Sequence, residues 1–328
     1  MIGTSGKNRN RRGGALLAVL WISAALSAIA FSVANTVRTE TERTSTLADG
    51  VRTYYLATGG IERIWLYIQW GDGYRNPDGS PRYFRSGTPR VVMNFPAGTA
   101  TVEVIPENSK MSLNTSKPEE LFRLITLLGV DPERARGITM GIVDWRSAVP
   151  GNLSLFDQHY MSLSPSFRAR HASFQEIEEL LLVKGMTPDL FYGTLVRDEQ
   201  GRLIPQPGLR DCLSVYGSDG SIEVNSAQPA VLMAIGLPPE AVNAIVQRRN
   251  AMPYRTGEEL APVVQFAGPA GQRLAIGGHT IFTFRSTGRL RMPNGQTSDM
   301  TRTVSAMLKF HQKPVNAPPI EVLRWYDY

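Results

Sequence analysis

RRGGALLAVLWISAALSAIAFSVANTVR, residues 11–38, is the stretch that decides how this chain is built. Between Arg12 and Arg38 it carries no charged residue. A helix rises about 1.5 Å per residue, so about 20 apolar residues cross a hydrocarbon core of about 30 Å. The run is long enough to span. Lys7, Arg9, Arg11 and Arg12 precede it. The positive-inside bias therefore holds the first dozen residues in the cytoplasm and sends the remainder across.

Three kinds of segment share these features. One is a cleaved secretory signal, with Ala28-Ile29-Ala30 as a small-x-small cleavage site. Another is a plain single-span anchor. The third is a prepilin-type signal, cut on the cytoplasmic side just before the apolar run, so that the run stays on the mature protein. The basic-Gly junction favours the third, because that peptidase accepts a short, charged, Gly-ended leader abutting a helix. The unbroken apolar length to Val37 is also long for a removable signal.

Outward from this run, composition sets bounds. A chain of 328 residues holds two or three domains, and 42% hydrophobic residues suits globular protein plus one span. The net charge of +6 is partly leader charge and argues weakly for nucleic acid. One cysteine, Cys212, excludes an internal disulfide framework and a Cys-based zinc site. His159, His171, His279 and His311 are scattered without ligand spacing and read as surface or loop residues.

The helical pattern continues past the span. Leu47, Val51, Tyr54, Ile61, Trp65 and Ile68 form one stripe of a 3.6-period helix, with Arg38, Glu40, Glu42, Arg43 and Asp49 on other faces. Gly59-Gly60 inside it costs about 1 kcal/mol per glycine relative to alanine. The pair marks either close backbone contact or a turn between two helices. Residues 71–87 are dense in Gly, Pro, Asn and Asp and read as a loop. Asp72 and Asp78 there lack the EF-hand spacing, which favours a solvated turn. Residues 91–95 and 100–105 read as strands of a hairpin turning at residues 96–99, and residues 209–216 and 222–224 as short strands. Residues 280–290, 301–311 and 320–326 alternate apolar with polar residues and read as an antiparallel sheet, with residues 293–296 supplying its first turn.

Between the strands lies an internal repeat. LNTSKPEEL (113–121) meets GVDPE (129–133), and VNSAQPAVL (224–232) meets GLPPE (236–240). Each unit reads as an Asn-Ser/Thr N-cap, a helix, a Gly-hydrophobe turn and a second helix opening on proline. FQEIEEL (174–180) and YRTGEEL (254–260) follow as matching codas. The unit looks like a helix-hairpin-helix, a DNA-backbone grip. Here, however, the hairpins carry Asp131, Glu133 and Glu240, which repel phosphate, and prolines, which remove amide donors. Arg134, Arg136, Arg248 and Arg249 are basic, as a solvated helix face commonly is. No nucleophile-base pair, metal-ligand spacing or phosphate-cradling loop is present. Asp144 and Glu120 are single acids at predicted helix ends, which points away from an enzyme.

The junction RRGGALLAVLW, the openings LNTSKPEEL and VNSAQPAVL, GIVDWR, SFQEIEELLLVKGMTPDLFYG and IEVLRWYD together resemble the type II secretion minor pseudopilin K (GspK) family across nearly the whole chain, in the family's order. The resemblance implies an α+β, pilin-like fold: a long N-terminal transmembrane and stem helix on an antiparallel sheet, with a large helical insert of two SAM-like (helix-hairpin-helix-like) units. It implies a leader at 1–13, a transmembrane helix at 14–37 and a periplasmic stem at 38–70. The β domain would take 71–112 and 270–328, the first helical unit 113–208, connecting strands 209–223 and the second unit 224–269. The implied role is non-enzymatic: capping and helping to nucleate a periplasmic pseudopilus with the I-, J- and H-type minor pseudopilins. The chain would be single-pass in a Gram-negative inner membrane, processed by prepilin peptidase and docked on the inner-membrane secretion platform. The runner-up role is a membrane-anchored nucleic-acid-binding protein of DNA uptake.

Carried over residue by residue, cleavage falls after Gly13 and Gly14 becomes the N-methylated first residue. The fifth mature position is then Ala18, where most pilins carry glutamate and this family does not. A carboxylate in hydrocarbon costs about 2.5–3.5 kcal/mol unless it meets a partner. In a filament that partner is the terminal amine of the subunit above, and a tip subunit has none. Some members of the family bind calcium in the insert through acids after the Asp-Trp pair. Here that loop is residues 146–152, with Asp144 and Asp157 as the candidate weak calcium ligands. Ca²⁺ takes six to eight oxygens, several of them carboxylates, and acids are otherwise missing, so a tight site is not expected. No other cofactor is implied.

Overall fold

The computed structural model describes residues 11–71, 73–149, 153–198, 200–278, 280–292, 294–311 and 319–327, with side chains from residue 14 onward. Residues 1–10 of the leader, Asp72, residues 150–152, His279 and Pro293, all used in the sequence reading, lie outside them.

A single helix, α1 (Arg11–Trp70), runs for 60 residues without a break, so Gly59-Gly60 is no turn. From residue 14 to residue 48 every side chain is exposed. The buried face begins at Thr53 and continues through Leu56, Ala57, Gly60, Ile61 and Ile64. The expected stripe was thus partly out of phase. Leu47 and Val51 precede the first buried position and stay exposed, at 64% and 55%. The seam is built instead on small residues. A Cβ on Gly60 would sit 2.5 Å from Ser286 Oγ and 2.9 Å from Ala100 Cβ. The close contact expected at the glycine pair is therefore real, and Gly60 makes it.

After a loop come β1 (Arg90–Phe95) and β2 (Gly98–Pro106), a hairpin across Pro96 and Ala97. The insert follows: β3 (Met111–Ser112), α2 (Pro118–Leu127), α3 (Pro132–Arg146), α4 (Leu155–Met161), α5 (Pro188–Tyr192), β4 (Thr194–Arg197), β5 (Leu203–Gln206), α6 (Leu209–Cys212), β6 (Leu213–Ser214), β7 (Ile222–Glu223), α7 (Pro229–Ala234), α8 (Pro239–Ala251), α9 (Gly257–Ala267) and β8 (Leu274–Ala275). The chain closes with β9 (Ile281–Arg291), β10 (Thr297–Phe310) and β11 (Ile320–Asp327). The strand expected at residues 209–216 is corrected. Its first half is the helical turn α6, because the Asp211 carboxylate accepts the Gly208 N–H and closes the turn.

The main sheet is antiparallel throughout, in the order β1-β2-β9-β10-β11. Register places Val104, Phe284 and Ala306 side by side on three neighbouring strands. Strand side chains alternate faces, so these join Val102, Val304 and Leu308 beneath α1 in one core with Ala57, Ile61 and Ile64. A separate apolar core fills the insert and runs unbroken from Met111 to Leu274. The expected architecture is observed: a long helix on an antiparallel sheet, with a helical insert. The insert meets the sheet through polar contacts. Asn225 Nδ2 donates at 3.1 Å to the Gly87 carbonyl in the loop before β1, Thr283 Oγ1 of β9 donates at 2.6 Å to the buried Glu107 on the link from β2 into the insert, and Arg324 of β11 pairs with Glu176 and Glu178.

The internal repeat is built by chemistry other than the expected capping. The N-caps of α2 and α7 are Lys117 and Gln228, neither with a side-chain cap bond. Asn114 instead clamps the first coda, donating to the Phe174 carbonyl (3.0 Å) and accepting its N–H (2.7 Å). Asn225 does the same to Tyr254, at 3.0 and 2.8 Å. One primary amide satisfies both backbone groups of a buried residue, as a strand neighbour would. Arg146 then donates to the carbonyls of Leu113 and Ser116, and Arg249 to those of Val224 and Ala227. The two hairpins match as well. Gly129 (φ +91) and Gly236 (φ +104) adopt left-handed backbone. The next N–H reaches back five residues, Val130 to Ile125 and Leu237 to Leu232. That is the glycine-terminated helix end, which only an unbranched Cα takes without strain.

Candidate functional site

The sequence points to two places: the start of α1 and the acids on either side of Trp145. At the first, Gly13 lies in the helix backbone, and Gly14 and Ala18 are exposed on it. A Cβ at Gly14 would meet nothing within 4 Å. Among the described residues α1 is the one helix long and apolar enough to cross a membrane. Leu16, Leu17, Leu20, Trp21, Ile22 and Phe31 are all at least 60% exposed. Surface apolar residues at this density need a non-aqueous or protein partner. Polar pairing begins where the apolar run stops, with Arg38–Glu42 at 2.9 Å and Arg52–Asp49 at 3.3 Å. Exposed pairs of this kind add little to stability, so they mark the water-facing stem and do not hold it.

The second place is a different kind of structure from the one expected. Asp144, at the end of α3, and Asp157, in α4, do approach one another through Ser154, whose hydroxyl donates to Asp144 Oδ2 at 3.0 Å. Asp157 is buried and its oxygens are spent. Oδ1 accepts the Ala169 N–H at 3.1 Å, and Oδ2 accepts the Ser154 N–H at 3.1 Å. His171 supplies the remaining partner, Nε2 lying 2.8 Å from Asp157 Oδ2 and Nδ1 lying 3.1 Å from the Asp144 carbonyl. Both atoms facing the ring are acceptors, so the arrangement is complete only when the ring carries both protons. The residues do not fit calcium. Asp157 already holds internal donors, and among the described residues no group of three His, Cys, Asp or Glu side chains could ligate a metal.

Electrostatics follow from this geometry. Burial works to keep the His171 ring neutral, but the hydrogen bonds to Asp157 and the Asp144 carbonyl and the charges of both acids outweigh it, raising the ring above its ordinary 6.5. Burial likewise works to raise Asp157. The bonds from His171, Ser154 and Ala169 prevail and hold it below its ordinary 3.8. A raised histidine stabilises fully below its unfolded value and loses that stability as pH rises through the folded one. A depressed aspartate stabilises above its unfolded value and loses it as pH falls through the folded one. The contribution of the pair to stability is therefore greatest between about pH 4 and 6.5 and declines on the alkaline side as His171 deprotonates. Thermal unfolding of the detergent-solubilised protein from pH 5 to 9 checks this. The alkaline fall should flatten in His171→Gln, and an unchanged profile there would refute the assignment.

Three of the four basic residues of the two hairpin units are occupied internally. Arg134 donates to the Gly185 carbonyl at 3.0 Å and to Thr187 Oγ1 at 3.1 Å. Arg248 bonds the Met252 carbonyl and Glu259, and the half-buried Arg249 donates to two carbonyls. Arg136 is exposed. Asp131 accepts the Arg134 N–H at the hairpin itself, placing a carboxylate where a phosphate would approach. A cleft of about 490 Å³ between sheet and insert carries both signs of charge. Its Arg90 and Arg285 face Glu103 at 3.2 and 3.6 Å. Sequence reasoning missed His171 because an isolated histidine has no local signal. It also missed the clamping role of Asn114 and Asn225, although their place in a repeat with matching codas was visible.

Comparison with known proteins adds the following. Residues 103–193 match the family model described as type II secretion system (T2SS), protein K. Type II secretion system protein K of Pseudomonas aeruginosa is 24% identical over 217 residues, 65% of this chain and 60% of that protein. The Klebsiella pneumoniae protein of the same description is 24% identical over 276 residues, 79% of each chain. The aligned stretch thus spans less than two thirds of the first relative's length. In the solved structures, a chain from the crystal structure of the GspK-GspI-GspJ complex of the enterotoxigenic Escherichia coli type 2 secretion system superposes with a TM-score of 0.51 at 17% identity. That likeness covers 89% of this chain and 99% of the other, and speaks to the fold.

Proposed function

Because this chain belongs to the family of type II secretion system protein K, whose members are structural proteins and not enzymes, we propose that it is a minor pseudopilin that caps and helps to nucleate a periplasmic pseudopilus. Prepilin peptidase cuts after Gly13 on the cytoplasmic side, and Gly14 becomes the methylated first residue. The apolar half of α1 stays in the inner membrane and the sheet and insert stand in the periplasm. Ala18, the fifth mature residue, leaves no acid to be neutralised by a subunit above. The helical insert, as two SAM-like units at 113–208 and 224–269, sits over the pilin-like body and obstructs further stacking.

The observation that carries this reading is α1 itself. Its first 35 described side chains are all exposed, while its C-terminal part is packed on the sheet. An exposed apolar rod continuous with a rigid body is what a subunit needs in order to be held first by lipid and then by neighbouring rods. The relative from Escherichia coli was solved with GspI and GspJ. By extension this chain binds the I- and J-type minor pseudopilins, with an H-type subunit below and the inner-membrane platform at its base.

Mass spectrometry of the mature protein tests the reading. The expected N-terminus is methylated Gly14. A chain starting near Phe31, or an uncut Met1, would overturn it. Co-purification with other small proteins carrying the same kind of leader is the second expected result.

A further inference from the structure

The loop after α4 folds back across the end of α3 and is fastened near the place where some members of the resembling family bind calcium. We propose that in this chain the His171 ring stands in place of a divalent cation, so that the insert closes this loop without metal. The ring bridges an acid and a carbonyl from two different helices, the role a calcium ion plays when it draws oxygens from separate segments together.

Four further observations bear on it. Asp157 is 1% exposed, and His171, 18% exposed in its side chain, spends one charge on it. A buried carboxylate without a cation would be far costlier than one so paired. His171 also has a positive φ of 49°, the only such non-glycine residue among those described. Left-handed backbone is unfavourable for a residue that carries a side chain. The two ring bonds supply a reason for the chain to accept it. The neighbouring charges serve other purposes: Arg170 pairs with Glu179 at 3.0 Å, Glu179 also accepts the Trp145 indole N–H, and the Tyr160 hydroxyl accepts the Lys184 N–H. The segment is then sealed by rings, Trp145 stacking on Phe174 and Tyr160 on Phe167.

The test is hydrogen exchange of residues 153–176 in the full-length protein in detergent, in calcium and in chelator. Native protein should give the same protection in both. His171→Gln, which keeps a polar side chain but loses the charge, should lose protection there in both. His171→Asp should lose protection in chelator and regain part of it in calcium, because it turns the cluster into three carboxylates around one point. Calcium-dependent protection in the native protein would overturn the proposal, as would unchanged protection in His171→Gln or a folded His171→Asp protein indifferent to calcium. Should His171→Asp not fold, the native and His171→Gln measurements still decide.

Discussion

Gly288→Ala is expected to destabilise the body by about 3 kcal/mol, the upper part of the range for overpacking a tight interface. The added methyl would lie 2.3 Å from the Thr53 carbonyl oxygen and 2.9 Å from the Ala57 nitrogen, both backbone atoms of α1. Neither can rotate away, so the helix must lift off the sheet. Gly60→Ala attacks the same seam from the helix side, against Ser286 Oγ and Ala100 Cβ. Its cost should be smaller, because the Ser286 side chain can turn. Gly137→Ala is the control. That glycine lies exposed in α3 with nothing within 4 Å of a new Cβ, so helix propensity alone acts and gains about 1 kcal/mol. Thermal unfolding in detergent, together with protease sensitivity of α1 between Arg52 and Trp70, separates the three. A Gly288→Ala protein as stable as the native one would mean that α1 does not sit this close to the sheet.

Asn225→Ala carries the second large effect, a loss of about 3 kcal/mol. The substitution removes three hydrogen bonds and leaves the N–H and carbonyl of Tyr254, a residue 2% exposed, without partners. Each buried group so orphaned costs about 1–3 kcal/mol. Asn114→Ala breaks the matching clamp on Phe174, but that asparagine has no third bond comparable to the one Asn225 makes to Gly87. Its loss should therefore be smaller by about 1 kcal/mol. Asn225→Asp should do no better than alanine, since a carboxylate would face two carbonyl oxygens. Equilibrium unfolding gives the order. Equal effects at the two asparagines would remove Gly87 as a real anchor between insert and sheet.

These clamps also show where sequence reading stopped. Asparagine next to serine or threonine ahead of a proline-headed helix is the composition of an N-cap, and the composition of a clamp is the same. The difference lies in whether the amide meets N–H groups of its own helix or the backbone of a residue 60 positions away, as Asn114 meets Phe174. No local pattern holds that information. The phase of the stem helix was misjudged for a related reason. Periodicity weights large apolar residues, and this seam is made by Ala57 and Gly60, whose contribution is the closeness they allow. At residues 209–216 alternation suggested a strand, but one capping carboxylate, Asp211, turned the first half into helix.

What the sequence determined by itself was whatever depends on short-range regularity. The uncharged run after Arg12, the hairpin turning within residues 96–99, the three alternating C-terminal strands and the doubled Asn-Pro-Gly unit each declare themselves within about 20 residues, because lipid thickness, strand pleat and helix pitch impose their periods locally. Tertiary structure alone decided what depends on distance through space. It set which face of α1 meets the sheet, where two repeats merge into one core, and that His171 closes the loop in which too few acids had been found for a tight calcium site. Those outcomes turn on which polar groups lose water together, and a buried acid takes whichever cation the fold brings within 3 Å, wherever in the sequence that cation lies.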